Sequence, residues 1–232
     1  MQLSLVIPTY NERDNLPVLA ERLTAAFQRD SIDAEIIVVD DNSPDGTGAL
    51  ADELGKKYRN LCVVHRKGKE GLSSAVLAGF AVANAPVVGV MDADLSHSPE
   101  DVPRLFAEID AGADFVVGSR YIKGGRIEGW TMSRRVLSWG GTVLGRAFTS
   151  VRDPMTGVLL IRNSCLEGRE FNAKGFKICL ELLVKAKYAS VKEVPITFIN
   201  RTKGKSKASF KECYLLLNNL WGYVVSSHKR AA

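Results

Sequence analysis

Short apolar runs alternate with segments of helical period through the first half of the chain. "LSLVIP" reads as a strand, and the segment after it places Leu16, Leu19, Leu23 and Phe27 on one helical face. "EIIVVDD" and "LCVVHR" are further strands, followed by a helix over "GLSSAVLAGFAVANA" and the strand "VVGVM". Ser98 caps the next helix, with Pro99 at its first position, Asp101 completing a capping box and Gly112 closing it. "DFVVGSR" is another strand. Alternation of this kind predicts an α/β fold whose mostly parallel sheet is covered by helices on both faces.

The pattern changes after Arg120. "YIKGGRIEGWT", about 121–131, is glycine-rich and predicts a mobile loop, leading into a helix over about 133–148. "RDPMTGVLLIR" reads as a turn into a strand and "FKICLELLVKAKY" as a helix. "VKEVPITFI" is a strand with Pro195 near a sheet edge. "NRTKGKSKAS" is a basic loop before a last helix over about 210–225. No repeat, low-complexity tract or linker divides the chain, so 1–232 is read as a single domain.

In such sheets ligands bind beyond the carboxyl ends of the strands. Those ends carry Pro8-Thr9-Tyr10-Asn11-Glu12, Asp40-Asp41, Asp92-Ala93-Asp94 and Gly118-Ser119-Arg120, so polar groups from four segments converge on one edge. Asp92 and Asp94 share a side on an ideal strand, because side-chain direction repeats every second residue. Two like charges so close either are solvated turn carboxylates or share a hard cation such as Mg²⁺ or Mn²⁺. Their place at the end of a buried strand, beside arginines, favours the cation. "DDNSPDGT" is rich in turn formers, so one of Asp40 and Asp41 caps the next helix while the other faces the site. Arg120, Arg134 and Arg201, each on a loop near this acidic edge, suggest bidentate anion recognition.

Composition narrows the classes. The chain has 232 residues, 31 basic against 26 acidic, and a formal charge of +5. That suits an anionic substrate or lipid surface but is too modest to imply nucleic acid. Cys62, Cys165, Cys179 and Cys213 have neither C-x-x-C nor zinc spacing, as expected of reduced cytosolic thiols. No targeting segment is visible at the start, and "CYLLLNNLWGYVV" falls short of the ~20 apolar residues a spanning helix needs. No G-x-x-x-x-G-K-[ST], complete G-x-G-x-x-G or G-x-S-x-G motif occurs, which disfavours P-loop, dinucleotide and serine-hydrolase chemistry.

Taken in order, "VIPTYNERDNL", "VVDDNSPDGT", "GLSSAVLAGF", "MDADLSHSPED", "GSRYIKGGRIEGW", "DPMTG", "GFKICLELL" and "EVPITFINRTKGKSK" resemble family 2 glycosyltransferases of the dolichol-phosphate mannose synthase group. The resemblance spans essentially the whole chain. It implies a GT-A, Rossmann-like fold, a divalent metal (Mg²⁺ or Mn²⁺), GDP-mannose as donor and a dolichyl or polyprenyl phosphate as acceptor. By the same resemblance Pro8, Tyr10, Glu12, Val38 and Asp40 line the nucleoside pocket. Asp92, Ala93 and Asp94 hold metal and donor phosphates, with Ser96 a further metal ligand where some relatives have glutamine. Arg120, Arg201 and Lys207 bind donor phosphates, and Arg134 and Ser138, together with Arg120, hold the acceptor phosphate. Asp94, Arg120 and Arg201 are the expected catalytic residues. Many relatives continue into transmembrane helices, whereas this sequence ends at Ala232. The expected setting is therefore peripheral, on the cytoplasmic face of a membrane, through the two late helices or a small membrane subunit. A UDP-glucose-dependent enzyme of the same lipid class, or a non-catalytic nucleotide-sugar-binding subunit, are the alternatives.

Overall fold

The computed structural model describes residues 1–172 and 178–200. Arg201, Lys207 and the expected helix over 210–225 lie outside the described residues. The chain opens with β1 (Leu3–Thr9), α1 (Leu16–Arg29), β2 (Ala34–Asp40), α2 (Thr47–Lys57), β3 (Leu61–His65), α3 (Leu72–Val82) and β4 (Val87–Met91). It continues through α4 (Val102–Asp110), β5 (Phe115–Ser119), β6 (Arg126–Glu128), α5 (Met132–Arg146), β7 (Val158–Arg162), α6 (Ile178–Lys185), β8 (Val191–Pro195) and β9 (Thr197–Ile199).

Seven strands form one sheet in the order β3-β2-β1-β4-β7-β5-β8. The first four run parallel; β7 is antiparallel to both β4 and β5, and β8 is parallel to β5. The sheet is thus mixed and mostly parallel. β1, β4 and β5 are buried along nearly their whole length, as continuous Val/Ile/Leu runs require when helices cover both faces. The expected face of α1 is the buried one: Leu16, Leu19, Leu23 and Phe27 pack with Leu3, Leu5 and Ile7 of β1. Pro195 ends β8, the outermost strand, where a missing N–H is tolerated.

Three local expectations are corrected. The stretch 121–131 is not loop throughout, because β6 within it pairs in parallel with β9, matching Ile127 to Phe198. Arg126 N donates to Ile196 O at 3.0 Å and Asn200 N to Glu128 O at 3.1 Å, so the segment is stitched down at both ends. The capping box at Ser98 does not form. Its hydroxyl donates to Glu100 at 2.5 Å, and Glu100 takes both Nε (2.9 Å) and a terminal nitrogen (2.6 Å) of Arg22 from α1. A bidentate charged partner outcompetes a neutral backbone donor, and the helix opens as a 3₁₀ turn over Pro99–Asp101. Finally, neither Asp40 nor Asp41 caps α2: Asp45 accepts from Thr47 N at 3.0 Å instead.

The Arg22–Glu100 contact ties α1 to the segment that follows β4, and it carries a pH signature. The Arg22 hydrogen bonds, helped by Ser98 against partial burial, pull the Glu100 carboxyl from its ordinary 4.5 to about 2. A carboxyl with a depressed folded-state value contributes stability above its unfolded value and loses it as pH falls through the folded one. Arg22→Ala should therefore lower the melting temperature at pH 7 by the equivalent of about 1 kcal/mol at most, the pair being solvent-exposed. The gap to the wild type should close as the pH is taken from about 4.5 to about 2; thermal denaturation of both proteins across that range checks it, and a constant gap would refute the assignment.

Candidate active site

The sheet's order reverses between β1 and β4, since β1 leads outward to β2 on one side and neighbours β4 on the other. Loops after adjacent strands diverge at such a point and leave a crevice. After β1 the chain turns through Asn11, whose backbone is left-handed (φ 60°). Tyr10 is half-buried, with Lys69 Nζ 3.8 Å from its ring centre. Glu12 accepts from Asn15 at 2.8 Å and donates its N–H to Thr47 Oγ1 at 3.0 Å. At the end of β2, Asp40 accepts from the N–H (3.1 Å) and hydroxyl (2.5 Å) of Ser43. Asp41 pairs with Arg66 and accepts from Gly71 N at 3.2 Å, which ties the loop after β3 to the crevice. Pro8 is half-buried on β1, whereas Val38 is fully buried in the core. The side chain of Val38 packs in the core cluster with Leu5, Ile7 and Ile36.

β4 ends at Met91, so Asp92 and Asp94 occupy the turn beyond the strand rather than one of its faces. The turn passes through Leu95 at φ 58° and is closed by Ser96 N donating to Asp94 Oδ1 at 3.0 Å. Asp94 is buried and Asp92 partly open. Ala93 packs its methyl into the core, leaving its backbone as the part that can meet a ligand. Ser96 Oγ is buried without a hydrogen-bond partner among the described residues, an orphan oxygen that costs free energy unless something binds it. Among the described residues no group of three His, Cys, Asp or Glu could hold a metal. Two carboxylates and a hydroxyl are nevertheless the oxygen donor set suited to Mg²⁺ or Mn²⁺ completed by water and substrate phosphates. The residues fit such an ion.

Arg120 is buried, and its guanidinium meets Asp153 through Nε and a terminal nitrogen, both at 2.7 Å, with its own N–H donating at 2.9 Å. Burial alone would depress the Arg120 pKa, but the bonds and charge of Asp153 outweigh it and hold the pKa above the ordinary arginine value. Phe198, on β9, lies 5.5 Å from Arg120 and 5.9 Å from Arg134, and its ring meets His97 and Trp130 edge-on at 5.0 and 5.1 Å. Arg134 stacks 4.4 Å from the Trp130 ring and donates to Asn200 at 2.7 Å; Ser138 Oγ is 3.2 Å from the Tyr121 hydroxyl. Ile199 N donates to Ser96 O at 2.9 Å, so β9 joins the carboxylate turn to the arginines. The structure thus draws Asp92, Asp94, Ser96, Arg120 and Arg134 around one short strand. Asp153, Trp130, His97 and Phe198 were not expected from the sequence, although the "DPMTG" motif containing Asp153 was visible in it.

The surface next to this cluster is apolar. α5 exposes Met132, Val136, Leu137, Trp139, Val143 and Leu144, with Met132 74% and Val136 63% exposed. No helix among the described residues is long and apolar enough to cross a membrane.

Comparison with known proteins agrees with the fold and the motifs. The chain matches Glycosyl transferase family 2 over residues 4–168. It is 44% identical over 225 residues to a dolichol-phosphate mannosyltransferase of Pyrococcus furiosus, covering 95% of this chain but 63% of that protein. It is 39% identical over 230 residues to a dolichol-phosphate mannosyltransferase of Saccharomyces cerevisiae, covering 95% of this chain and 86% of that one. The fold is shared with the glucosyl-3-phosphoglycerate synthase of Mycobacterium tuberculosis, crystallised with Mn²⁺, UDP and glucosyl-3-phosphoglycerate. There the TM-score is 0.67 at 18% identity, covering 97% of this chain and 79% of that one. The chain belongs to glycosyl transferase family 2, in the group of the dolichol- and polyprenol-phosphate mannosyltransferases.

Proposed function

We propose that the chain transfers mannose from GDP-mannose to a dolichyl or polyprenyl phosphate at the cytoplasmic face of a membrane, giving a polyprenyl β-mannosyl phosphate with inversion. The observation that carries this reading is the juxtaposition of an acidic turn holding a buried, unpartnered hydroxyl with two arginines 5.5 and 5.9 Å from the Phe198 ring. The names of the relatives supply the mannosyl group and the lipid.

In this reading Tyr10, Glu12 and Asp40 receive the nucleoside, and Asp92, Asp94 and Ser96 hold a divalent cation. That cation would neutralise the carboxylates and the donor diphosphate together. Arg120, with Arg201 and Lys207 from outside the described residues, neutralises charge that builds on the leaving diphosphate. Arg134 and Ser138 orient the acceptor phosphate. Its second pKa, near ~6, leaves the acceptor largely dianionic at neutral pH, so the nucleophile arrives charged and needs no strong general base. A phosphate oxygen forms the bond to the anomeric carbon as the bond from that carbon to the diphosphate breaks, its electron pair leaving on GDP. Catalysis is then orientation plus stabilisation of the leaving charge. The test is transfer from a panel of GDP- and UDP-sugars to a polyprenyl phosphate, with Mn²⁺ or with EDTA. GDP-mannose should be the preferred donor, EDTA should abolish turnover and Asp94→Ala should lower it by at least about 100-fold. Preference for UDP-glucose would support the glucosyl alternative, and binding without turnover would support a non-catalytic subunit.

The exposed face of α5 supplies the route to a lipid acceptor. Its apolar residues stand beside Arg134, Arg135 and Arg146, a composition suited to an anionic bilayer surface. The purified chain should float with anionic liposomes at low salt, less so at high salt, and less so after Arg135→Glu. Failure to float on any lipid, with full activity on detergent-dispersed acceptor, would reject direct binding in favour of a membrane subunit.

A further inference from the structure

The turn Arg152–Gly157 leads into β7 and has no role in the reaction as derived above, yet it touches both halves of the site. At one end Asp153, fully buried, grips Arg120 through the side chain and the backbone N–H. At the other end, a Cβ on Gly157 would stand 2.7 Å from Asp92 Cγ and 2.9 Å from His97 Nε2. Any side chain at 157 would therefore displace the Asp92 carboxylate, which is the movable neighbour because it is partly exposed. The turn is itself anchored. Glu193 of β8 accepts from Arg152 N at 2.9 Å and from Asp153 N at 3.2 Å, and Arg146 of α5 donates twice to Arg152 O, at 2.9 and 2.7 Å.

We propose that this turn is a positioning element that fixes the anion-binding guanidinium relative to the metal-binding carboxylate, Asp153 acting through Arg120 and Gly157 through Asp92. The proposal rests on the reading of the site given above. A guanidinium has five N–H donors. Asp153 engages Nε and one terminal nitrogen, so the other terminal nitrogen keeps its donors for an anion while the plane of the group stays locked. Gly157 leaves the volume in which Asp92 can turn toward a cation shared with Asp94 and Ser96. A single rigid segment thereby sets two distances that an in-line displacement needs fixed together.

The two halves separate experimentally without any transfer assay. Two affinities are measured on the full chain: GDP in EDTA, which reports the guanidinium, and Mn²⁺ at saturating GDP by electron paramagnetic resonance, which reports the carboxylates. Asp153→Asn should weaken metal-free GDP by about 10–100-fold, the usual effect of removing a supporting group, and leave Mn²⁺ affinity unchanged. Gly157→Ala should do the reverse. Circular dichroism establishes folding. If Asp153→Asn does not fold, Glu193→Gln, which loosens the Asp153 end and leaves the ion pair in place, should weaken metal-free GDP alone. Both affinities falling together in each variant would mean general loosening and overturn the proposal, as would wild-type affinities throughout. A wild-type chain that binds neither GDP nor Mn²⁺ overturns the reading of the site as well, whereas normal binding without mannosyl transfer overturns only the proposed reaction.

Discussion

The ion pair between Arg120 and Asp153 is the interaction around which the site is assembled. Asp153 is inaccessible and Arg120 nearly so, and removing one member of such a pair costs about 3–5 kcal/mol because the other stays charged in a poor solvent. The pair bridges the end of β5 and the turn into β7, the strand that runs against its neighbours. Beyond β5 the chain runs into the segment with β6 and then α5, and β9, paired with β6, bonds the carboxylate turn after β4 through Ile199 N and Ser96 O.

This arrangement explains why one edge of the sheet carries both signs of charge. The parallel half delivers carboxylates from the ends of β2 and β4: Asp40 is held by Ser43, Asp41 by Arg66 and Asp94 by Ser96 N, while the Ser96 hydroxyl has no partner among the described residues. The mixed half delivers arginines, stacked on Trp130 and Phe198 so that their charge is held against aromatic faces rather than dispersed in water. Phe198 is the shared wall. A phosphorylated donor and a phosphorylated acceptor would bring several negative charges into this crevice. The acidic turn tolerates them only with a cation, and the arginines attract them.

Much of this was legible in the sequence where the signal is local. "LSLVIPT" has to be buried on both faces, and the Leu16–Phe27 stripe has one face to bury, so the strand and the helix follow from periodicity alone. Asp92 and Asp94 stood out because two carboxylates closing an apolar run are electrostatically costly. What escaped is long-range. β6 is three residues long inside a glycine-rich stretch, and its partner β9 lies 71 positions on at every pair of the register, beyond any periodicity. Asp153 meets Arg120 across 33 residues, and Ser98 gives its hydroxyl not to a cap but to Glu100, which is gripped by an arginine 78 positions away. Charge pairing at such separations is set by topology.

The central claim is that the acidic turn and its orphan hydroxyl form a cation site facing the donor diphosphate. The most direct measurement is an anomalous difference map at the manganese edge from crystals of the full chain grown with Mn²⁺ and GDP. The account predicts a single strong peak within coordination distance of Asp92, Asp94 and Ser96 Oγ, with the diphosphate oxygens completing its shell and Arg120 on the far side of the phosphates. A bound GDP with no peak at that turn, or a peak held by other residues, would contradict it.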